Sequence, residues 1–325
     1  MAGAGEPPLT SSRPPRDLEG RTPPSIAHTF WRSLYGRPYL LLTLTTLMWG
    51  GNAVASRLAV GHISPMALTS LRWLGVILIL APLLGRHVAA EAPALAPRWP
   101  YIVVMSALGF TIFNALMYAA AHHTPAVNLT ILQGSVPVLV LLGALLLFGT
   151  PIRLVQVLGM TVTLVGVVIV AARGEMETLA TLAFNIGDVW MMIACACYAA
   201  YTVLLRRRPN VSGFVFFAAM AGAAFLLTIP LLAWEMAAGH VVWPDARGFA
   251  ILLYVTLFPS LLSQVFFMRG VELIGPGRAG LFVNLVPVFG AVLAVLILGE
   301  PFRLYHALAL GLVLGGIWLA ERGRS

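Results

Sequence analysis

Lysine is absent from the chain, cysteine occurs twice, and carboxylates number only twelve. Each scarcity excludes a class of protein. Cys195 and Cys197 lie two apart in one apolar run, so on a helix they face different ways and a disulfide framework is excluded. No carboxylate or cysteine at ligand spacing accompanies His122-His123, which leaves no metal site to expect. A glycine-rich phosphate loop and a nucleotide domain are likewise missing, so the chain by itself is not ATP-driven. No His, Asp and Glu gather at one depth, which argues against an enzyme, and no cofactor is expected. The excess charge of +8 comes from Arg alone. A nucleic-acid binder would collect that charge on one polar face, whereas here Arg residues sit between apolar runs.

Hydrophobic residues make up 59% of the chain and charged residues 10%. Water cannot be the solvent of so apolar a surface; lipid can. Ten apolar runs are expected to span the bilayer as helices, near residues 39–58, 65–85, 100–120, 126–147, 154–172, 187–206, 213–234, 249–273, 277–298 and 304–320. Residues 1–38 are rich in Pro, Gly, Ser and Arg and form an expected disordered tail. Residues 173–186 form the longest connection, expected on the periplasmic side, and 321–325 a short carboxyl-terminal tail. With the amino terminus in the cytoplasm, fourteen Arg fall on inner segments and three, Arg173, Arg247 and Arg303, on outer loops. An even span count then places both termini in the cytoplasm, with the chain in the cell inner membrane.

The chain repeats itself. Pro137 and Pro151 match Pro287 and Pro301 at an offset of 150, and Gly166 matches Gly316 at the same offset. Trp49 and Arg57 match Tyr198 and Arg206 at 149. Each unit, 39–172 and 187–320, therefore holds five spans. An odd number turns the second copy upside down, and inverted repeats place a substrate site between halves near the midplane. The expected fold is an all-α membrane protein of ten transmembrane helices in two inverted five-helix repeats.

Pro137 and Pro287 remove the helical partners of the Gln133 and Val283 carbonyls, which lipid tolerates only beside protein or cavity water. Both are expected at the cavity, as hinges. Trp49, Asn52, Asn114, Tyr118, Gln133, Tyr198, Tyr201, Ser263, Gln264 and Asn284 are the candidate cavity residues. Arg57 and Arg72, toward the outer ends of their spans, are expected to meet Glu300 or a substrate carboxylate, in charge pairing or gating. All twelve acids fall in loops, tails or the end turns of spans, so no carboxylate at membrane depth is available for proton coupling. Gly311, Gly315 and Gly316 permit close helix packing, within the chain or in a homodimer.

Trp49-Gly50 with Arg57, Leu71-Arg72-Trp73, Val136-Pro137, and Pro287 with Gly299-Glu300-Pro301 follow one another between residues 40 and 320. In these the chain resembles the EamA family of the drug/metabolite transporter superfamily. Thr150 departs from it, since the first repeat of that family commonly has glutamate there. The resemblance implies a carrier exporting small metabolites, most like the bacterial exporters of amino acids, aromatic ones included. The residues themselves point to a neutral or zwitterionic small molecule crossing the bilayer by alternating access, through facilitated diffusion or exchange. Proton-coupled efflux of drugs or other metabolites, such as nucleobases, is the alternative. A non-transporting scaffold would not need prolines and polar groups in both halves.

Overall fold

The computed structural model describes residues 35–175 and 185–322. Most of the expected tail, the centre of the 173–186 connection and the last three residues lie outside the described residues. Five of the fourteen inner Arg (Arg13, Arg16, Arg21, Arg32 and Arg324) lie there too.

All regular structure among the described residues is helical. Helix α1 spans Pro38–Leu58 and α2 Pro65–Leu95, each with a proline in its first turn, where a missing N–H costs nothing. A 3₁₀ turn at Ala96–Arg98 leads into α3, Trp99–Ser106, which passes through a π segment, Ala107–Ile112, into α4, Phe113–Ala120. Then come α5 (Ala126–Gln133), α6 (Val136–Phe148) and α7 (Leu154–Ala171). The second half runs α8 (Ile186–Leu204), α9 (Gly213–Ala237) and α10 (Ala246–Val255). A π segment at Thr256–Leu262 joins α10 to α11 (Ser263–Ile274), followed by α12 (Pro276–Val283), α13 (Val286–Leu298) and α14 (Leu304–Arg322).

Eight helical stretches among the described residues are long and apolar enough to cross a membrane. The chain is a multi-pass membrane protein. One of the eight, Pro65–Ala120, runs 56 residues. Straight, it would reach about 84 Å, far beyond a hydrocarbon core of about 30 Å. Instead Arg72 bonds to Asn114 and Tyr118, and Trp73 stacks on Phe110, so the chain reverses between them. The segment 86–95, expected as part of a connection, is helical. It is rich in Ala, the strongest helix former, and Pro93 is accommodated close to the helix end.

Sequence features at an offset of 149 or 150 recur as geometry. The π segments start at Ala107 and Thr256. The runs expected at 126–147 and 277–298 are each broken, at Gly134-Ser135 and at Asn284-Leu285. Each broken run ends on a left-handed glycine, Gly149 at φ 63° and Gly299 at φ 65°. No Cβ opposes that backbone conformation in glycine.

Lipid gives packed helices no hydrophobic reward for meeting, so small residues decide where backbones approach. Helices α7 and α14 cross through Gly159, Gly166 and Gly316. A Cβ on Gly316 would lie 2.3 Å from Thr163 Oγ1 and 2.5 Å from the Gly159 carbonyl oxygen. Gly50 of α1 meets the Gly290 backbone of α13, and Gly290 meets Thr130 of α5. Gly311 and Gly315 have open space around them. Gly316→Leu is therefore expected to force α7 and α14 apart and to cost roughly 1–3 kcal/mol. Gly315→Leu should leave the thermal unfolding of the purified protein unchanged, which makes it the matched control.

Candidate functional site

Both helix breaks open onto one cavity of about 100 Å³, room for several waters. Pro137 and Pro287 line it, as expected from the carbonyls they leave without a helical N–H. Around each break the backbone tightens into i to i+3 bonds: Gly134 N–H to Ile131 O, Ser135 N–H to Leu132 O, and Leu285 N–H to Phe282 O. The lining also includes Trp49, Asn52, Asn114, Gln133, Tyr198, Gln264 and Asn284, seven of the ten candidate cavity residues.

The other three stand behind the wall, each for a reason of bonding or packing. Tyr118 is 2% exposed, and its hydroxyl accepts from Arg72 Nη1 and donates to Asn52 Oδ1 at 3.3 Å. Ser263 accepts the Trp49 indole N–H at 3.0 Å and donates to the Pro259 carbonyl, which fixes the indole in the wall. Tyr201 packs on Tyr198 and Phe110, in the space left by Gly109, where a Cβ would lie 2.6 Å from the phenol ring.

The expected charge pairing with Glu300 does not form. Arg57 donates instead to the Ala121 carbonyl. Glu300 accepts from the Ala126 and Val127 N–H groups, both at 2.9 Å, and so caps the start of α5. Two free N–H groups at a helix start attract a carboxylate more than a distant guanidinium does. Thr150, 150 residues earlier, accepts only a long 3.5 Å contact from Arg206. At the start of α2, Glu235 plays the same part, accepting from the Ser64 hydroxyl and from the Met66 and Ala67 N–H groups. Farther from the cavity, the Gly248 N–H and then the His62 ring hold the Asp245 carboxyl below the usual carboxylate range, where it caps α10.

Arg72 is buried, 4% exposed, and reaches the cavity. Its Nε donates to Ser260 Oγ, and its Nη1 to Asn114 Oδ1 at 2.6 Å and to the Tyr118 hydroxyl. The guanidinium lies 5.3 Å from the Trp73 ring, itself stacked on Phe110 at 4.5 Å. Trp73, Phe110, Phe113 and Met117 were not legible as cavity residues, because apolar side chains facing a cavity and facing lipid look alike in sequence. His306 was missed as well. Its Nδ1 accepts the Arg303 N–H, which leaves Nε2–H to donate to Asn128 Oδ1 at 3.0 Å in the buried contact between α14 and α5.

The cavity takes its walls from both halves of a chain in which the EamA-like transporter family matches twice, over residues 24–172 and 185–321. The chain belongs to that family. This EamA protein is 24% identical over 286 residues to the uncharacterized transporter YyaM of Bacillus subtilis (strain 168), covering 87% of this chain and 93% of the relative. It is 25% identical over 289 residues to an uncharacterized transporter of Archaeoglobus fulgidus, covering 87% and 96%. It is 24% identical over 289 residues to the uncharacterized inner membrane transporter YedA of Escherichia coli (strain K12), covering 86% and 88%. A solved crystal structure shares the fold with a TM-score of 0.62 at 21% identity, covering 87% of this chain and 96% of that one. Family and relatives alike are transporters rather than enzymes.

Because Glu300 satisfies two N–H groups at once, Glu300→Ala should cost roughly 1.5–3 kcal/mol in unfolding of the detergent-solubilised EamA protein. Glu300→Gln, which keeps a carbonyl acceptor, should lose less.

Proposed function

We propose that the chain is a secondary carrier that exports small zwitterionic metabolites, amino acids with aromatic ones among them, across the cytoplasmic membrane by alternating access. The observation that carries this reading is the cavity at which both helix breaks meet, with aromatic and amide groups from the two halves in its wall. Ten crossings in two inverted five-helix repeats, 39–172 and 187–320, account for the recurrence of π segments, breaks and left-handed glycines at an offset of 149 or 150. The Pro65–Ala120 hairpin supplies two of the ten, and the 21-residue α1 another. The Arg distribution favours both termini in the cytoplasm, and the inner-membrane relative supports that membrane.

In this mechanism the solute enters while one end of the cavity is open, and the halves rock about the breaks beside Pro137 and Pro287. A freed carbonyl at each break lets the two short helices pivot without losing a helical bond. No carboxylate lines the cavity among the described residues, which favours facilitated diffusion or exchange. One observation favours a second reading, proton-coupled efflux of drugs or other metabolites. Asp188 is 2% exposed, and its Oδ2 has no hydrogen-bond partner among the described residues.

Liposomes holding the purified chain decide between them. Phenylalanine, methionine and threonine should move down their own gradients without a pH difference, while drug cations should not. Flux that demands a pH gradient and fails in Asp188→Asn would select the second reading, and no flux of any solute would end the carrier proposal. Pro287→Ala should slow flux about tenfold or more while leaving expression and unfolding temperature near wild type, since restoring the α12–α13 bond stiffens the pivot. Wild-type flux in a folded Pro287→Ala protein would remove the hinge.

A further inference from the structure

Arg72 is the one formally charged side chain in the cavity wall among the described residues. It forms no ion pair among the described residues, where the carboxylate pairs are His62 with Asp245 and Arg269 with Glu272. Three neutral oxygens, on Ser260, Asn114 and Tyr118, take up its Nε and Nη1. Its Nη2, with two further N–H groups, makes no hydrogen bond among the described residues, although the residue is only 4% exposed. A guanidinium cannot shed its proton to escape burial. An uncompensated charge at this depth is therefore costly, by several kcal/mol in general, until an anion or water meets it. A second donor in the same wall is also unfilled, since the Gln133 amide nitrogen is buried and has no partner.

The rest of the wall says what kind of anion fits. Trp49, Trp73 with Phe110, and Tyr198 with Phe113 present apolar and aromatic surface. A phosphate, carrying more charge and a tighter water shell, would find no second cation there. A monocarboxylate with an apolar body matches one fixed guanidinium that has its Nη2 left to donate a charge-assisted hydrogen bond. Nothing in the wall carries the negative charge that an ammonium group would demand.

We propose that Arg72 is the carboxylate-recognition residue of the cavity, and that the site takes small monocarboxylates with an aromatic or apolar body, the amino group being dispensable. This rests on the carrier reading above for its biological meaning, and moves the recognised group from the whole zwitterion to its carboxylate. Ser260, Asn114 and Tyr118 are positioning residues, which hold two sides of the fork so that the third faces the solute.

The wild-type chain in detergent tests this directly, through quenching of its tryptophans by two probes that differ in one group, 3-phenylpropanoate and 3-phenylpropanamide. The propanoate should bind about tenfold or more tighter than the amide, the scale of a charge-assisted hydrogen bond. Phenylalanine should bind much as the propanoate does. Arg72→Gln should erase the difference between the two probes, and Arg72→Lys, keeping the charge without the fork, should retain part of it. Equal binding of the two probes, no saturable binding of the propanoate, or a preference that survives in Arg72→Gln would overturn the assignment. Should Arg72→Gln fail to fold, the wild-type pair decides alone. The liposome experiment fails separately. Propanoate binding without any flux would keep Arg72 and end the carrier, whereas equal flux of phenethylamine and phenylalanine would keep the carrier and end this role for Arg72.

Discussion

In lipid, a backbone N–H or C=O without a partner costs several kcal/mol, and no water stands by to relieve it. Most of this structure follows from that constraint. Long helices satisfy their own backbones, so wherever the helical ladder stops inside the apolar layer, some other group must take its place. The ladder stops at Gly134-Ser135 and at Asn284-Leu285, and the two interruptions share one cavity. It stops again at the starts of α2 and α5, where Glu235 and Glu300 accept the free N–H groups. Both breaks go to the cavity, and these two starts go to carboxylates.

The same constraint accounts for the distribution of charge. Three of the scarce acids are spent on helix starts: Glu235 on α2, Glu300 on α5 and Asp245 on α10. Among the described residues, that leaves the cavity without a negative group and Arg72 without a counter-ion. Arg72 is a buried cation held by neutral oxygens, and it lines that same cavity. Packing and chemistry are joined here, because the Arg72 contacts to Asn114 and Tyr118 also tie the two arms of the 65–120 hairpin.

The two broken runs are alike in backbone but not in their terminal chemistry. Glu300 anchors the start of α5 with two short bonds, while Thr150, at the matching place, has a single long contact from Arg206.

Much was legible from the residues in order. Apolar length marked out the helices, prolines marked the breaks, and the scarcity of polar groups within apolar runs made seven cavity residues visible. These are one-dimensional signals, since lipid forces hydropathy and helix to coincide. What a helix faces is not one-dimensional. Tyr118, Ser263 and Tyr201 carry the same signal as Asn114 and Gln264, and only packing turned them behind the wall. Phe110 and Trp73 carry the signal of lipid-facing residues, and only packing brought them into it. Sequence determined that this chain spans a membrane in two related halves, because composition and spacing suffice for that. Tertiary structure decided which partner each Arg and Glu found, because such bonds join residues as far apart as 234 positions and depend on where whole helices come to rest.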